Sequence, residues 1–312
     1  MIKQNALTLE QLRKLQLLPL DEKIKMTEAS IHSAYEWSEG KIYVSVSGKD
    51  SLTLLHIVRR LYPDTPGVFV NTGLEFPEIK SHIKTLDNVE WLRPKKPFHQ
   101  VLKDNGYPVT TKINARFLRD LQNPTDRNEQ TRRLHLEGIR GDGSISKYGK
   151  LSQRYLYLIN SPFKISEQCC IFTKETPMVL YTKSSERMPL MGIMAYESRD
   201  SERKYLKYGC NAFQLKKPHS HPISFWLEDD IWSYIRKNNM PYPKIYDMGE
   251  RRTGCMFCGF GVHLEKPPNR YQRLQKTHPR YWEYCIEELG WKQIWDFMGV
   301  QYWNTRRGFG LV

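Results

Sequence analysis

Two short patterns in the 312-residue chain carry residue types and spacings that do chemistry. The first is Ser45-Val46-Ser47-Gly48-Lys49-Asp50-Ser51, lying between a β-rich run and a helical pattern. A helix start offers unpaired N–H groups and a partial positive charge, which together hold phosphate oxygens. Gly48 lets backbone approach such an oxygen, Lys49 adds charge, and the Ser47 and Ser51 hydroxyls are donors. It is not a Walker A loop, because Tyr43 stands where the first Gly is needed and Asp50 follows the Lys. Taken alone, the same residues also make an ordinary Ser-Gly turn capped by Asp50.

The second pattern is Cys169-Cys170 with Cys255-Met256-Phe257-Cys258. In C-x-x-C a tight turn brings both sulfurs to one point, and four sulfurs suit zinc or an iron–sulfur cluster. A lone C-x-x-C also serves as a redox pair. Adjacent cysteines are awkward for a single metal ion and for a disulfide with each other, but they can serve two irons of one cluster. Four unconnected buried thiols are the alternative. Cys285, in a helical pattern, reads as a core thiol. Cys210 reads as the same, or as a replacement ligand.

Other constellations are weaker. His135-Leu136-Glu137 resembles a zinc-deaminase H-x-E, yet Gly254 precedes the C-x-x-C where that signature has Pro. His219 and His221, between Pro218 and Pro222, read as loop residues. Residues 112–154 hold ten Lys and Arg against five acids. Ile113, Phe117 and Leu121 recur every four, which predicts an amphipathic helix with a basic outer face. Tyr148, Tyr155 and Tyr157 among those charges leave a nucleic-acid surface or a nucleotide lid open beside a merely solvated face. Lys112, after Tyr107-Pro108-Val109, is the candidate for reaching into a pocket.

The elements that would position these groups alternate. Residues 1–40 form an N-terminal helical segment, with Leu9, Leu12, Leu15 and Leu18 spaced by three. Ile42–Val46 is a strand followed by a tight loop and a helix through Leu61. Gly67–Val70, Val89–Leu92 and Leu190–Ala195 are further strands, so a parallel α/β sheet flanked by helices is expected. Ser224 is the expected N-cap of a helix carrying Glu228-Asp229-Asp230 early and Arg236-Lys237 late, as a helix dipole prefers. The boundaries drawn are 1–40, a nucleotide-binding domain at 41–221, and a smaller helical region at 222–312 with the C-x-x-C.

Composition narrows the class. Lys and Arg number 48 against 34 Asp and Glu, a net charge of +14, which favours an anionic partner. A mean hydropathy of −0.63, no long apolar run and no secretory signal pattern predict a cytoplasmic protein without a membrane partner. Six scattered Cys are not a disulfide framework and favour a reducing compartment.

The Ser47–Ser51 segment resembles the SGGxDS loop of the PP-loop ATP pyrophosphatases. Tyr43-Val44-Ser45, Leu54-Leu55-His56, Val70 through Glu78, Tyr107-Pro108-Val109, Glu197-Ser198-Arg199 and Pro222 through Trp226 are similar to the phosphoadenosine phosphosulfate reductase family. These stretches span most of residues 41–300. The resemblance implies a Rossmann-like sheet of the adenine nucleotide alpha hydrolase type. It implies that ATP or an adenylyl-sulfate nucleotide contacts Ser45, Ser47, Gly48, Lys49, Asp50, Ser51, Asn71, Thr72, Gly73, Glu75 and Lys112. Lys49, Asp50 and Arg199, with Mg²⁺, would carry catalysis. The adenylyl-sulfate reductases of this family hold a [4Fe–4S] cluster with a CC pair and a later C-x-x-C, which maps onto Cys169, Cys170, Cys255 and Cys258; zinc is the alternative.

Two departures shape the functional expectation. The family loop has two consecutive glycines where this chain has one. The reductases attack sulfur with a Cys near the C-terminus, and no Cys follows Cys285. The first tells against ATP hydrolysis and the second against the reductase mechanism. The expected activity is binding of ATP or an adenylyl-sulfate nucleotide and activation of an acceptor by adenylation for sulfur transfer, with a sulfur-donor protein as a candidate partner. Alternatives are a sulfonucleotide reductase, a nucleic-acid-modifying sulfurtransferase like those of DNA phosphorothioation, and a non-catalytic nucleotide-binding or redox-sensing protein.

Overall fold

The computed structural model describes residues 7–304. The tail at 305–312, on which part of the expectation about a late Cys falls, lies outside the described residues, as does the start of the N-terminal segment. In chain order the helices and strands are α1 (Leu9–Gln16), α2 (Leu20–Trp37), β1 (Ile42–Ser45), α3 (Lys49–Leu61), β2 (Gly67–Val70), α4 (Pro77–Ile83), β3 (Val89–Leu92), α5 (Phe98–Asn105), α6 (Lys112–Gln122), α7 (Glu129–Glu137), α8 (Thr176–Ser185), β4 (Met188–Met191), α9 (Arg199–Tyr208), α10 (Glu228–Lys237), α11 (Arg270–Thr277), α12 (Pro279–Glu283) and α13 (Trp291–Met298).

The chain divides into two compact units, the first of residues up to 71, 75–93 and 176–253, the second of 72–74, 94–175 and 254 onward. The stretch 222–312, expected as one region, is thus shared between them.

The first unit holds a four-stranded sheet in the order β3-β2-β1-β4, every pairing parallel. It is an α/β fold with helices packed on the sheet, as expected. Ile42, Tyr43 and Val44 are all buried, the pattern of a parallel strand covered on both faces. From β1 the chain steps to β2 and β3 on one side, then returns to place β4 on the other. The β1–β4 junction is therefore a topological switch point, where the strand-end loops part and leave a crevice.

Two local expectations are corrected. The fourth strand is Met188–Met191 rather than 190–195, because the ladder pairs Ile42 with Met188 and Ser45 with Met191; Gly192 already leaves it. The N-cap of α10 is Leu227, whose amide donates to the Asp230 carboxylate at 2.7 Å. Ser224 donates instead to the His221 carbonyl at 2.8 Å. Asp230 also accepts from the buried Lys23 ammonium at 2.6 Å, joining α2 to α10.

The second unit is built around Tyr271, Trp291 and Trp295, all fully buried, with the indoles stacked at 4.9 Å. Gly259 is required there, since a Cβ would stand 2.4 Å from the Trp291 ring. Cys285 is in this core, as read. Helix α6 forms where the periodicity places it and buries Ala115, Phe117 and Leu118, but Ile113 of the expected stripe faces solvent. Among the described residues no helix is long and apolar enough to cross a membrane.

Candidate functional site

The C-terminal ends of β1 and β4 open into a cavity of about 250 Å³. Ser45, Ser47, Gly48, Asp50 and Ser51 line it from the β1 side, Met191, Gly192, Ile193 and Glu197 from the β4 side, with Arg252 and Thr253 completing it. Helix α3 starts in this wall, with Gly48 as its extended N-cap. The Ser51 hydroxyl accepts from the Ser47 amide at 2.8 Å and donates to the Gly48 carbonyl at 2.9 Å, which folds the loop onto itself. Gly192 packs directly on the helix start, for a Cβ there would lie 2.7 Å from both N and Cα of Ser51. Gly48 is equally crowded, with the Tyr246 hydroxyl 2.5 Å and the Thr253 hydroxyl 2.6 Å from where a Cβ would be.

Tyr246 acts on the loop directly. Its Oη accepts from the Lys49 amide at 2.8 Å and lies 3.0 Å from Thr253 Oγ1. Burial pushes its pKa up to about 12, so it stays a neutral phenol. One of the helix-start donors is thereby occupied.

Lys49 is the main surprise among the expected residues. Its side chain does not line the cavity; it is buried, with the ammonium 3.0 Å from Asp50 and 3.5 Å from Glu228, and 5.8 Å and 5.5 Å from the Trp232 and Tyr246 ring centres. The cation that does line the cavity is Arg252, which donates to Glu197 at 2.6 Å. Burial raises the Asp50 carboxyl pKa against the pull of Lys49. Burial likewise raises that of Glu197, against the Met194 amide and Arg252.

Arg199 opens α9 beyond the cavity and is exposed. Neither neighbouring acid takes it: Asp200 pairs with Lys204 at 2.7 Å and Glu202 with Arg13 at 3.9 Å. Asn71 follows β2, its amide donating to Leu92 at 2.8 Å, and Glu75 is buried; neither lines the cavity. Thr72 and Gly73 fall in the second unit, where the Thr72 hydroxyl accepts from the Leu74 amide at 3.1 Å.

In the second unit the four expected cysteines come together. Cys169 and Cys170 sit 3.9 Å apart, sulfur to sulfur, at the start of a helical turn, and the Cys169 thiol feels the charges of both Cys255 and Cys258. The C-x-x-C turn is closed by the Cys258 amide on the Cys255 carbonyl at 3.1 Å. It is braced by Tyr271 on Phe257 O at 3.0 Å and by Arg270 on Cys258 O at 3.2 Å. The mutual hydrogen bond raises the Cys169 pKa and lowers that of Cys170, whose thiolate Lys112 and Lys174 also favour. Lys112, expected beside the nucleotide, hydrogen-bonds Cys170. All six cysteines are free. Among the described residues no three His, Cys, Asp or Glu side chains are disposed to hold a single metal ion. Cys210 belongs to the first unit, its thiol 3.9 Å from the Pro222 carbonyl.

Gly192, Glu197 in its ion pair, Tyr246, Arg252 and Thr253 were not singled out for this site from sequence. Arg252-Thr253 directly precede Gly254 and the C-x-x-C, which was the one available signal.

The family described as phosphoadenosine phosphosulfate reductase domain matches residues 41–105 and 126–259. An uncharacterized protein of Methanocaldococcus jannaschii is 24% identical over 289 residues, covering 89% of this chain. This chain spans only 48% of that protein's length. An adenosine 5'-phosphosulfate reductase of Staphylococcus epidermidis is 22% identical, covering 77% of this chain and 79% of the reductase. The crystal structure of a phosphoadenylyl-sulfate reductase from Candida auris, a phosphate complex, covers 80% of this chain and 96% of its own, at 14% identity and a TM-score of 0.42. With the family model matching more than half of its length, at 41–105 and 126–259, the chain belongs to the phosphoadenosine phosphosulfate reductase domain family.

Proposed function

We propose that the chain is an enzyme that binds ATP, or an adenylyl-sulfate nucleotide, by its phosphates in the β1–β4 crevice and activates an acceptor there for sulfur transfer. The observation that carries this reading is the cavity itself, where a helix start and the Arg252 guanidinium face one space at a switch point. Arg252, rather than the buried Lys49, is the cation available to phosphate, and a planar guanidinium suits it.

With ATP the acceptor oxygen attacks the α-phosphorus. The bond from that phosphorus to the β-phosphate oxygen breaks, pyrophosphate leaves, and the acceptor proton passes to solvent. Catalysis is then positioning and charge stabilisation. Asp50 and Glu197 supply the hard oxygen ligands suited to the Mg²⁺ that accompanies a triphosphate.

The Cys169, Cys170, Cys255 and Cys258 thiols fit a [4Fe–4S] group in donor type, number and reduced state. When bound, it would supply a soft centre at which sulfur is ligated or positioned. Lys112 and Arg270 beside the thiols favour the deprotonated sulfurs such a group needs.

Sulfonucleotide reduction is the second reading, favoured by the named reductase relatives. It needs a nucleophilic thiol outside the four. Burial pushes Cys210 up to about 12 and Cys285 well above the usual thiol range, whereas a nucleophile needs exposure and a lowered pKa.

The test is anaerobic purification with iron, labile sulfide, zinc and nucleotide analysis, followed by a pyrophosphate assay with ATP. Pyrophosphate release that is lost in Asp50→Ala supports the reading. Absence of nucleotide binding and of release overturns it, and stoichiometric zinc replaces the cluster.

A further inference from the structure

We propose that the loop following α7, residues 138–154, is a docking surface for single-stranded nucleic acid. The stretch leaves α7 at Gly138, in the left-handed conformation, and turns back through a bridge between Ile139 and Ile145. It then lies along the helix it left. The Ser146 amide donates to Gly138 O at 2.7 Å, the Leu151 amide to His135 O at 2.7 Å, and His135 Nδ1 meets Gly149 O at 2.9 Å. The loop is therefore an anchored projection rather than a free tether.

What it projects is charge and ring. Tyr148 is 80% and Ile145 83% exposed, and the Lys147 ammonium lies 5.7 Å from the Tyr148 ring centre. Arg140, Lys147, Lys150 and Arg154 are exposed, and none is in an ion pair among the described residues. Arg140 donates only to Ser144 Oγ and Ile145 O, each at 3.1 Å. Elsewhere in the same unit the pattern is the opposite, for Arg119 is held by Asp120 and Glu167 at 3.0 and 2.6 Å. The loop's one acid, Asp142, closes the turn, accepting from the Ser144 amide and hydroxyl at 2.9 and 2.7 Å, and it also feels the charge of Arg140, so that Lys147 and Lys150 face no acid of the loop.

Exposed cations on the same projection as an exposed aromatic ring, with Lys147 at the Tyr148 ring itself and Arg154 over the Tyr155 ring, match a phosphodiester chain whose bases are free to stack. A duplex hides its base faces, whereas a single strand offers them to a ring such as Tyr148. The net charge of +14 exceeds what a nucleotide pocket with one exposed cation requires, and this loop accounts for part of the excess.

The experiment is fluorescence anisotropy of the full chain with end-labelled 20-mers of deoxythymidylate and of uridylate, titrated across salt, without ATP. Its outcome is thus independent of the nucleotide site. Affinity should fall steeply as salt rises. Tyr148→Ala should weaken binding about tenfold, the loss expected of a base-stacking ring. The Arg140→Ala, Lys147→Ala double variant should flatten the slope of log affinity against log salt by about 1.4, roughly 0.7 for each phosphate that no longer meets a cation. These side chains are exposed, so unchanged thermal midpoints verify folding. Salt-dependent binding of either oligomer that weakens in Tyr148→Ala supports the proposal. Salt-independent affinity overturns it, as does a Tyr148→Ala variant binding like the parent. Equal or tighter binding to phosphatidylserine vesicles or inorganic polyphosphate also overturns it.

Discussion

Arg252 and Glu197, fifty-five positions apart, hold one another at 2.6 Å while both line the cavity at the ends of β1 and β4. The arginine side chain remains 59% exposed and the glutamate 16%, so the pair contributes little to stability and leaves the guanidinium able to change partners. A nucleotide phosphate competes with Glu197 for it. Arg252→Ala is expected to weaken ATP binding by about 10- to 100-fold, the value of a lost charge-assisted hydrogen bond. Glu197→Gln, which frees the guanidinium, should tighten it when Mg²⁺ is left out. Isothermal titration with a non-hydrolysable analogue checks both; equal affinity in all three proteins contradicts the role.

Lys49 should behave differently. Its ammonium is buried beside Asp50 and Glu228, and removing it leaves two carboxylates without their cation. Lys49→Ala is expected to lower stability by roughly 2–4 kcal/mol, short of the full buried-pair cost because both acids keep some water. Denaturant unfolding measures this. A variant of unchanged stability that only loses nucleotide affinity would place the lysine in the pocket instead.

How these two cations divide the work was only half legible. The strand–loop–helix with Ser47 to Ser51 reads directly from local residue types, since loop and helix start are contiguous in sequence. Arg252, Thr253 and Tyr246 reach the same loop from about two hundred positions away, and nothing local to either segment encodes that approach. The direction of Lys49 is also non-local, because Glu228 and Trp232 on α10 draw it inward. Lys112 shows the same limit: the helical pattern of Ile113, Phe117 and Leu121 beside it was plain, but which group it meets, Cys170, depends on the turn at Cys169. Within each cysteine pair the adjacency is local and legible, whereas the approach of Cys169 to Cys255 and Cys258 is as non-local as that of Arg252.

Gly192 is expected to tolerate no side chain. The Cβ of Gly192→Ala would press on the backbone of Ser51 at 2.7 Å, moving the helix start out of place. Nucleotide affinity should drop at least tenfold, since contacts to phosphate are sensitive to shifts near ~1 Å, with a destabilisation of about 1–3 kcal/mol from overpacking. Parent-like affinity by titration would show that the loop yields without consequence.

For the cysteines, Cys169→Ser or Cys255→Ser should abolish iron binding in anaerobically prepared protein, while Cys210→Ala, in the other unit, should retain full iron content by metal analysis. Chelation should then lower the melting temperature of the parent and leave Cys255→Ser unaffected.

Acid should weaken the first unit through His221. Burial, then His219 and Lys204, lower its pKa from 6.5 to about 3. The unfolded chain takes up the proton first, so the stabilisation is complete above pH 6.5 and is lost as pH falls from there toward 3. The expected cost is about 1.4 kcal/mol per pH unit within that window. His221→Asn should flatten the dependence of the melting temperature on pH between 6.5 and 4; an unchanged slope would assign it to other groups.

The packing around Lys49 also makes the phosphate loop optically visible. Trp232 stands 5.8 Å from that ammonium and meets the Tyr246 ring edge-on at 5.7 Å, while Tyr246 holds the Lys49 amide. Any shift of the loop alters the charge and the ring beside one particular indole. The chain thus carries its own emission probe, and comparing Trp232→Phe with the parent isolates that signal from the other seven tryptophans.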